Sequence, residues 1–196
     1  MLLNPLGNPK GILYLVFTGF GWLAFRVVVR RDYLQTGKLS APSAFLEVLV
    51  LFIHGVISYL YMGSDFPSMP PLEPNPEINL VGFTLIGAGL AGTLTAMTRL
   101  GFGVSVGQAA GSIRRTGLYA FTRNPRIIFY TVLLLGYCLL WTNWLTLLWL
   151  AAFLFVGHMM IVTEEEYLLE TYGQEYADYC REVPRYLFST RQPRKD

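Results

Sequence analysis

Charge is scarce in this chain. Only 14% of its 196 residues are Asp, Glu, Lys or Arg, whereas 53% are hydrophobic, and mean hydropathy is +0.42. A soluble globule of this size needs more polar surface, so the composition places the protein in a membrane. Histidine is nearly missing as well. Its two copies, His54 and His158, fall in different apolar runs with no Cys/His cluster around either, which argues against zinc and triad-type hydrolytic chemistry. Cys138 lies in an apolar run and Cys180 in a polar tail, depths that no disulfide is expected to bridge. A net charge of +2 is too small to suggest a nucleic-acid partner. The amino end has no basic n-region and no cleavage site leading into a soluble domain, so the first apolar run is expected to be retained.

What is present is five apolar runs, at 11–29, 44–62, 78–97, 127–141 and 145–162. Three approach the ~20 residues that cross a bilayer core, whereas the fourth is only about 15 residues, or ~22 Å of helix. The fourth and fifth read as a hairpin turning at Thr142-Asn143-Trp144, with Trp141 and Trp144 suited to an interface. Basic residues occupy alternate connections. Arg30, Arg31 and Lys38 follow the first run, and Arg99, Arg114, Arg115, Arg123 and Arg126 follow the third. Arg181, Arg185, Arg191, Arg194 and Lys195 populate the tail, whereas residues 63–77 carry Asp65, Glu73, Glu77 and five prolines but no Lys or Arg. The expectation is an all-α polytopic membrane protein with about five spans and a cytoplasmic amphipathic carboxyl-terminal helix. Its amino end is expected to be external or luminal and its carboxyl end cytoplasmic. The chain divides into a three-span region (1–98), a half containing a loop, the hairpin and the terminal helix (99–188), and a basic tail (189–196).

The third run spells Gly87-Ala88-Gly89-Leu90-Ala91-Gly92, the G-x-G-x-x-G of a dinucleotide fingerprint. No strand precedes it, so it reads as part of an apolar helix, with Ala88, Gly92 and Ala96 four apart and suited to close helix contact. Gly and Ser dominate 101–112, which suits either a re-entrant or interfacial segment or a continued helix. Glu47 and His54 lie seven apart on one helical face. Glu47 is expected to snorkel to the interface, and His54 is open to a structural or a functional role.

Two polar clusters remain. The first is the joint 117–125, where Asn124 suits a helix cap and Pro125 a first turn. The second follows the fifth run: Thr163 and Glu166 have capping-box spacing, and Glu164, Glu165 and Glu166 suit a helix amino terminus. Beyond it Leu168, Tyr172, Tyr176, Tyr179 and Val183 form an apolar stripe opposite Glu170, Gln174, Asp178 and Arg181, with a bend at Gly173. This helix is expected to lie on the interface or to fold over the joint. The hairpin returns both clusters to one side of the membrane. Donors on one, carboxylates on the other and tyrosines between suit a zwitterionic, cationic ligand with ribose hydroxyls.

Taken together, Gly117-x-Tyr119-x-x-x-Arg123-Asn124-Pro125 and Glu164-Glu165-x-x-Leu168-x-x-x-Tyr172-Gly173-x-Glu175-Tyr176-x-x-Tyr179-x-x-x-Val183-Pro184-Arg185 resemble the integral-membrane methyltransferases of the isoprenylcysteine carboxyl methyltransferase and phospholipid methyltransferase group. The resemblance covers 99–188 and implies S-adenosylmethionine as cofactor, a lipidic or amphipathic acceptor and contact with membrane lipids. It implies a cofactor site drawn from Gly117, Tyr119, Arg123, Asn124, Pro125, Glu164, Glu165, Tyr176, Tyr179, Arg181 and Arg185, with Arg123, Asn124 and His158 nearest the chemistry. His158 is a candidate base for an amine or thiol acceptor. Asn124 stands where most isoprenylcysteine enzymes have His-Pro, and Asn-Pro is similar to the phosphatidylethanolamine branch. Met160 falls in the part of the last span where carboxyl methyltransferases often carry an arginine, which argues against a prenylcysteine carboxylate. A sterol-reductase-like enzyme using a nicotinamide cofactor and a non-catalytic membrane protein retaining the fold are the alternatives.

Overall fold

The computed structural model describes residues 9–61, 72, 74–101 and 113–187, and among these every regular element is helical. A first rod combines α1 (Pro9–Leu23), a π-helical segment (Ala24–Val29) and α2 (Arg30–Thr36). It ends where Gly37 adopts a left-handed φ of 68°, a conformation open to glycine at no steric cost. Then come α3 (Ala41–Tyr61), α4 (Pro76–Leu100), a 3₁₀ turn (Gly117–Ala120), α5 (Pro125–Leu140), α6 (Trp144–Tyr172) and α7 (Gln174–Glu182). Three helices are long and apolar enough to cross a membrane, Gly11–Thr36, Pro76–Leu100 and Trp144–Tyr172; Ala41–Ile57 and Pro125–Leu140 are shorter apolar helices.

Short polar residues start these helices. Asn75 accepts hydrogen bonds from the amides of Glu77 and Ile78 ahead of α4, with Pro76 in its first turn. Asn143 does the same for Leu145 and Thr146, which sets the tight turn between α5 and α6.

Helices α4 and α5 meet backbone to backbone. A Cβ on Gly89 would lie 2.5 Å from the Leu133 nitrogen, and one on Gly136 would lie 2.6 Å from the Gly82 oxygen. The small residues that α4 buries are Gly82, Gly89 and Ala96, seven apart, whereas Ala88 faces outward. Of the expected Ala88-Gly92-Ala96 stripe, Gly92 and Ala96 stand as expected, a Cβ on Gly92 lying 2.2 Å from the Phe129 ring and Ala96 being buried, and Ala88 is the member that departs from it. The G-x-G-x-x-G spelling lies wholly inside α4.

On the other side the first rod and α3 pack on α6 around Phe25, Val50, Phe153, Val156 and Ile161. His54 belongs to this core. Its ring stacks on Trp149 with centroids 4.8 Å apart, and the Trp149 indole donates to the His54 carbonyl at 2.8 Å. Glu47 is only 8% exposed and points inward, within electrostatic reach of Arg126 and Glu164, instead of snorkelling to the interface.

No helix begins at Thr163. Helix α6 runs unbroken through it to Tyr172 and stops at Gly173, whose φ is 52°. The Thr163 hydroxyl donates to the Phe25 carbonyl at 3.2 Å and accepts from Arg26, so a tertiary contact replaces the expected capping box. The bend at Gly173 is present, and α7 follows it. The glycine-rich stretch 102–112, most of the proline-rich loop (62–71 and 73) and the tail 188–196 lie outside the described residues.

Candidate functional site

An α-helix turns about 100° per residue, so three neighbouring side chains leave it in three directions. Helix α6 uses this at Glu164, Glu165 and Glu166. Glu164 faces Arg126 of α5 at 3.6 Å. Glu165 accepts from Nε and Nη2 of Arg185 at 2.9 and 2.7 Å and pairs with Arg123 at 3.3 Å. Glu166 accepts from Arg26 at 2.8 Å and from Arg30 at 2.5 Å, both on the first rod. Five guanidinium groups from four parts of the chain converge on one helical turn.

The joint reaches this turn through the Arg123 side chain and is tied to the segment after α7 through that segment's backbone carbonyls. Gly117 takes a φ of 63° to start the 3₁₀ turn, which buries Tyr119. The amide of Arg123 donates to the Pro184 carbonyl at 3.0 Å, and the Thr122 hydroxyl donates to the Arg185 carbonyl at 3.1 Å. Asn124 occupies the position preceding α5, with Pro125 next, but its side chain makes no cap. Its Nδ2 instead donates to the Arg185 carbonyl at 3.2 Å. The segment 183–187 therefore lies across the joint as a strap.

Tyr176, Tyr179 and Val183, the first residue of the strap, are buried with the half-buried Ile113, Leu168 and Tyr172 packed against them, so α7 folds over the joint as one of the two expected placements. The Tyr179 hydroxyl donates to the Tyr119 carbonyl at 2.7 Å. Burial pushes the Tyr119 phenol up to about 12 and raises Tyr176 and Tyr179 as well, so all three are neutral hydrogen-bonding groups. Burial also raises the Cys180 thiol against the pull of Arg123, whose Nη1 donates to its sulfur. Arg185 is held above its ordinary range by its hydrogen bonds to Glu165. Two polar atoms at this centre, Arg123 Nε and Glu165 Oε1, are buried without a hydrogen-bond partner, the Arg123–Glu165 ion pair lacking hydrogen-bond geometry.

A family model described as phospholipid methyltransferase matches residues 78–175, from α4 through the joint and all three glutamates to the start of α7. The chain belongs to the phospholipid methyltransferase family. No curated protein and no solved structure gives a significant match. Membership makes the chain a member of a membrane methyltransferase family, consistent with its three long apolar helices.

Within this family member, Gly117, Tyr119, Arg123, Asn124, Pro125, Glu164, Glu165, Tyr176, Tyr179 and Arg185 gather at one end of the bundle. Arg181 stands apart, exposed and paired with Asp178 on its own helix. His158 lies seven positions before Glu165 on α6, with its Nδ1 2.7 Å from the Tyr186 hydroxyl. Sequence reasoning missed Thr122, Tyr186, and the Arg26 and Arg30 partners of Glu166. Arg26 carried a usable signal, as a lone cation inside the apolar run 11–29. Thr122 carried none, since its partner is a backbone carbonyl 63 positions away.

Proposed function

We propose that this protein is an S-adenosylmethionine-dependent methyltransferase that modifies a lipidic or amphipathic acceptor at the cytoplasmic face of a membrane. In this reading the bundle has five spans, with the amino end external or luminal and both halves of the site at the cytoplasmic end, as the distribution of basic residues requires. The observation that carries it is Glu165, bound by Arg123 from the joint and by Arg185 from the strap. Family membership supplies the reaction type.

The residues present fit the cofactor. It is a zwitterion with ribose hydroxyls, and the centre offers guanidinium donors, a carboxylate and buried tyrosines, together with unpartnered polar atoms on Arg123 and Glu165. When bound, S-adenosylmethionine supplies a methyl group on a positively charged sulfur. Arg123 and Arg185 hold its carboxylate, whereas Glu165, with Glu164 beside it, takes the ammonium or ribose hydroxyls. Tyr119, Tyr176 and Tyr179 form the wall, where aromatic faces favour a cation. Arg181 is left for the lipid surface. Asn124 fixes the strap and takes no proton, since a carboxamide does not titrate near neutral pH. An amine or thiol acceptor has to lose a proton, and in this reading His158, hydrogen-bonded to Tyr186, takes it.

Incubating the purified protein with methyl-labelled S-adenosylmethionine and a native lipid extract tests the reading. Label in a phospholipid or other lipid fraction supports it; turnover without any labelled lipid would remove the lipidic acceptor.

A further inference from the structure

The third glutamate of the α6 turn faces away from the joint and is bound entirely by the first rod. Glu166 takes one oxygen to Arg26 Nη2 and the other to Arg30 Nε, while Arg26 Nη1 also reaches the Thr163 hydroxyl at 3.3 Å. Arg26 in the π-helical segment and Arg30 at the start of α2 are four apart, close enough along the rod to reach the same carboxylate.

The pairing leaves charge over. Two guanidinium groups share one carboxylate, and Arg31 and Lys38 nearby are exposed, whereas Asp32 is occupied by the amide and hydroxyl of Ser40. Arg30 is 43% exposed, and its Nη1 and Nη2 have no partner among the described residues. A planar fork with both outer nitrogens free matches two phosphate oxygens.

The surface leading to this fork is apolar. Val16, Phe20, Leu23 and Val27 are all exposed and recur every three to four residues along the rod, and the next step of that pattern is Arg30. Hydrocarbon along one stripe, ended by a guanidinium whose outer nitrogens have no partner among the described residues, has the chemistry of one molecule: a phospholipid with an acyl chain on the rod and its phosphate at Arg30.

We propose that Arg30, braced by Glu166 and Arg26, holds the phosphate of a membrane phospholipid whose chain lies along Val16, Phe20, Leu23 and Val27. This site draws on Glu166 and the first rod and shares no residue with Arg123, Arg185 and Glu165, so it stands whether or not the cofactor assignment does. Because Glu165 and Glu166 are adjacent, a lipid at Arg30 also fixes the turn from which the joint and strap are held.

The test uses the full chain in detergent, without cofactor, and reads thermal stability. The probes are dioctanoyl phosphatidylglycerol, dioctanoylglycerol and inorganic phosphate. At about ten times its Kd the phospholipid raises the wild-type midpoint by roughly 3–6 °C. Dioctanoylglycerol and inorganic phosphate do not, which separates a lipid phosphate from apolar contact and from a free anion. Arg30→Gln loses most of the rise and Arg31→Gln keeps it. Equal shifts for Arg30→Gln and the wild type, equal losses in both variants, or equal stabilisation by dioctanoylglycerol or inorganic phosphate would overturn the proposal. If Arg30→Gln does not fold, Arg30→Lys replaces it: the ammonium keeps the charge without the fork, so it must bind the phospholipid at least several-fold more weakly than the wild type.

Discussion

Glu165 Oε2 accepts two hydrogen bonds from Arg185, at 2.9 and 2.7 Å, although the residues are 20 positions apart and α6 has ended between them. The pair, with the hydrogen bond between His158 and Tyr186, ties the strap to α6. Lysine at 185 keeps the charge but loses the fork. We therefore expect Arg185→Lys to weaken S-adenosylmethionine binding about tenfold while leaving the midpoint within a few degrees, as measured by equilibrium binding and thermal unfolding. Wild-type binding by the variant would separate the strap from the site.

The α4–α5 contact makes a different demand. At Gly89 a methyl group meets the backbone of α5, whereas at Gly87 nothing lies within 4 Å. Gly89→Ala is expected to cost about 1–3 kcal/mol by forcing the helices apart. Gly87→Ala should stay within about 0.5 kcal/mol of the wild type. Thermal midpoints of the two variants, measured side by side, check the assignment of the interface.

Stability should fall at alkaline pH. Burial raises the Tyr119 phenol from its ordinary 10.0 to about 12, so the native state keeps a proton that the unfolded chain gives up. An acid raised in this way contributes its full stability below pH ~10 and loses it progressively as pH climbs towards ~12. Tyr119→Phe removes its share of that dependence, while the shares of Tyr176 and Tyr179 remain. It should cost little at pH 7, because the Tyr119 hydroxyl makes only a long 3.5 Å bond to Ala96, and it should make the midpoint fall less steeply between pH ~10 and ~12 than in the wild type.

Ligand choice separates the methyltransferase reading from a reductase. A ligand stabilises what it binds, so S-adenosylmethionine at high micromolar concentration should raise the unfolding midpoint and NADPH should not. The opposite pattern would move the protein to the reductase class, and no shift from either would favour a non-catalytic role.

Much of this arrangement is legible in the residues. The turn expected at Thr142-Asn143-Trp144 is where α6 starts, and a hairpin of two apolar runs predicts that Arg123 and Glu165 share an end of the bundle. The reading fails where a local spelling is overruled from far away. Thr163-x-x-Glu166 looks like a capping box, but Arg26 and Phe25, some 140 positions earlier, supply partners that let the helix continue. Asn124 looks like a cap, but a carbonyl 61 positions later takes its amide. Glu47 looks free to reach water, but Arg126 and Glu164 lie inside. In each case the residue type was informative and its partner was not, since pairing at that range leaves no periodic trace.

The central claim is that the joint and the strap meet on Glu165 to form the cofactor site. Equilibrium binding of radiolabelled S-adenosylmethionine to the purified wild type, Arg123→Ala and Glu165→Ala tests it most directly, with Arg181→Ala as the control outside the cluster. The account predicts roughly tenfold or greater loss of affinity in the first two variants and none in the control. Unchanged affinity in folded Arg123→Ala and Glu165→Ala protein would contradict it.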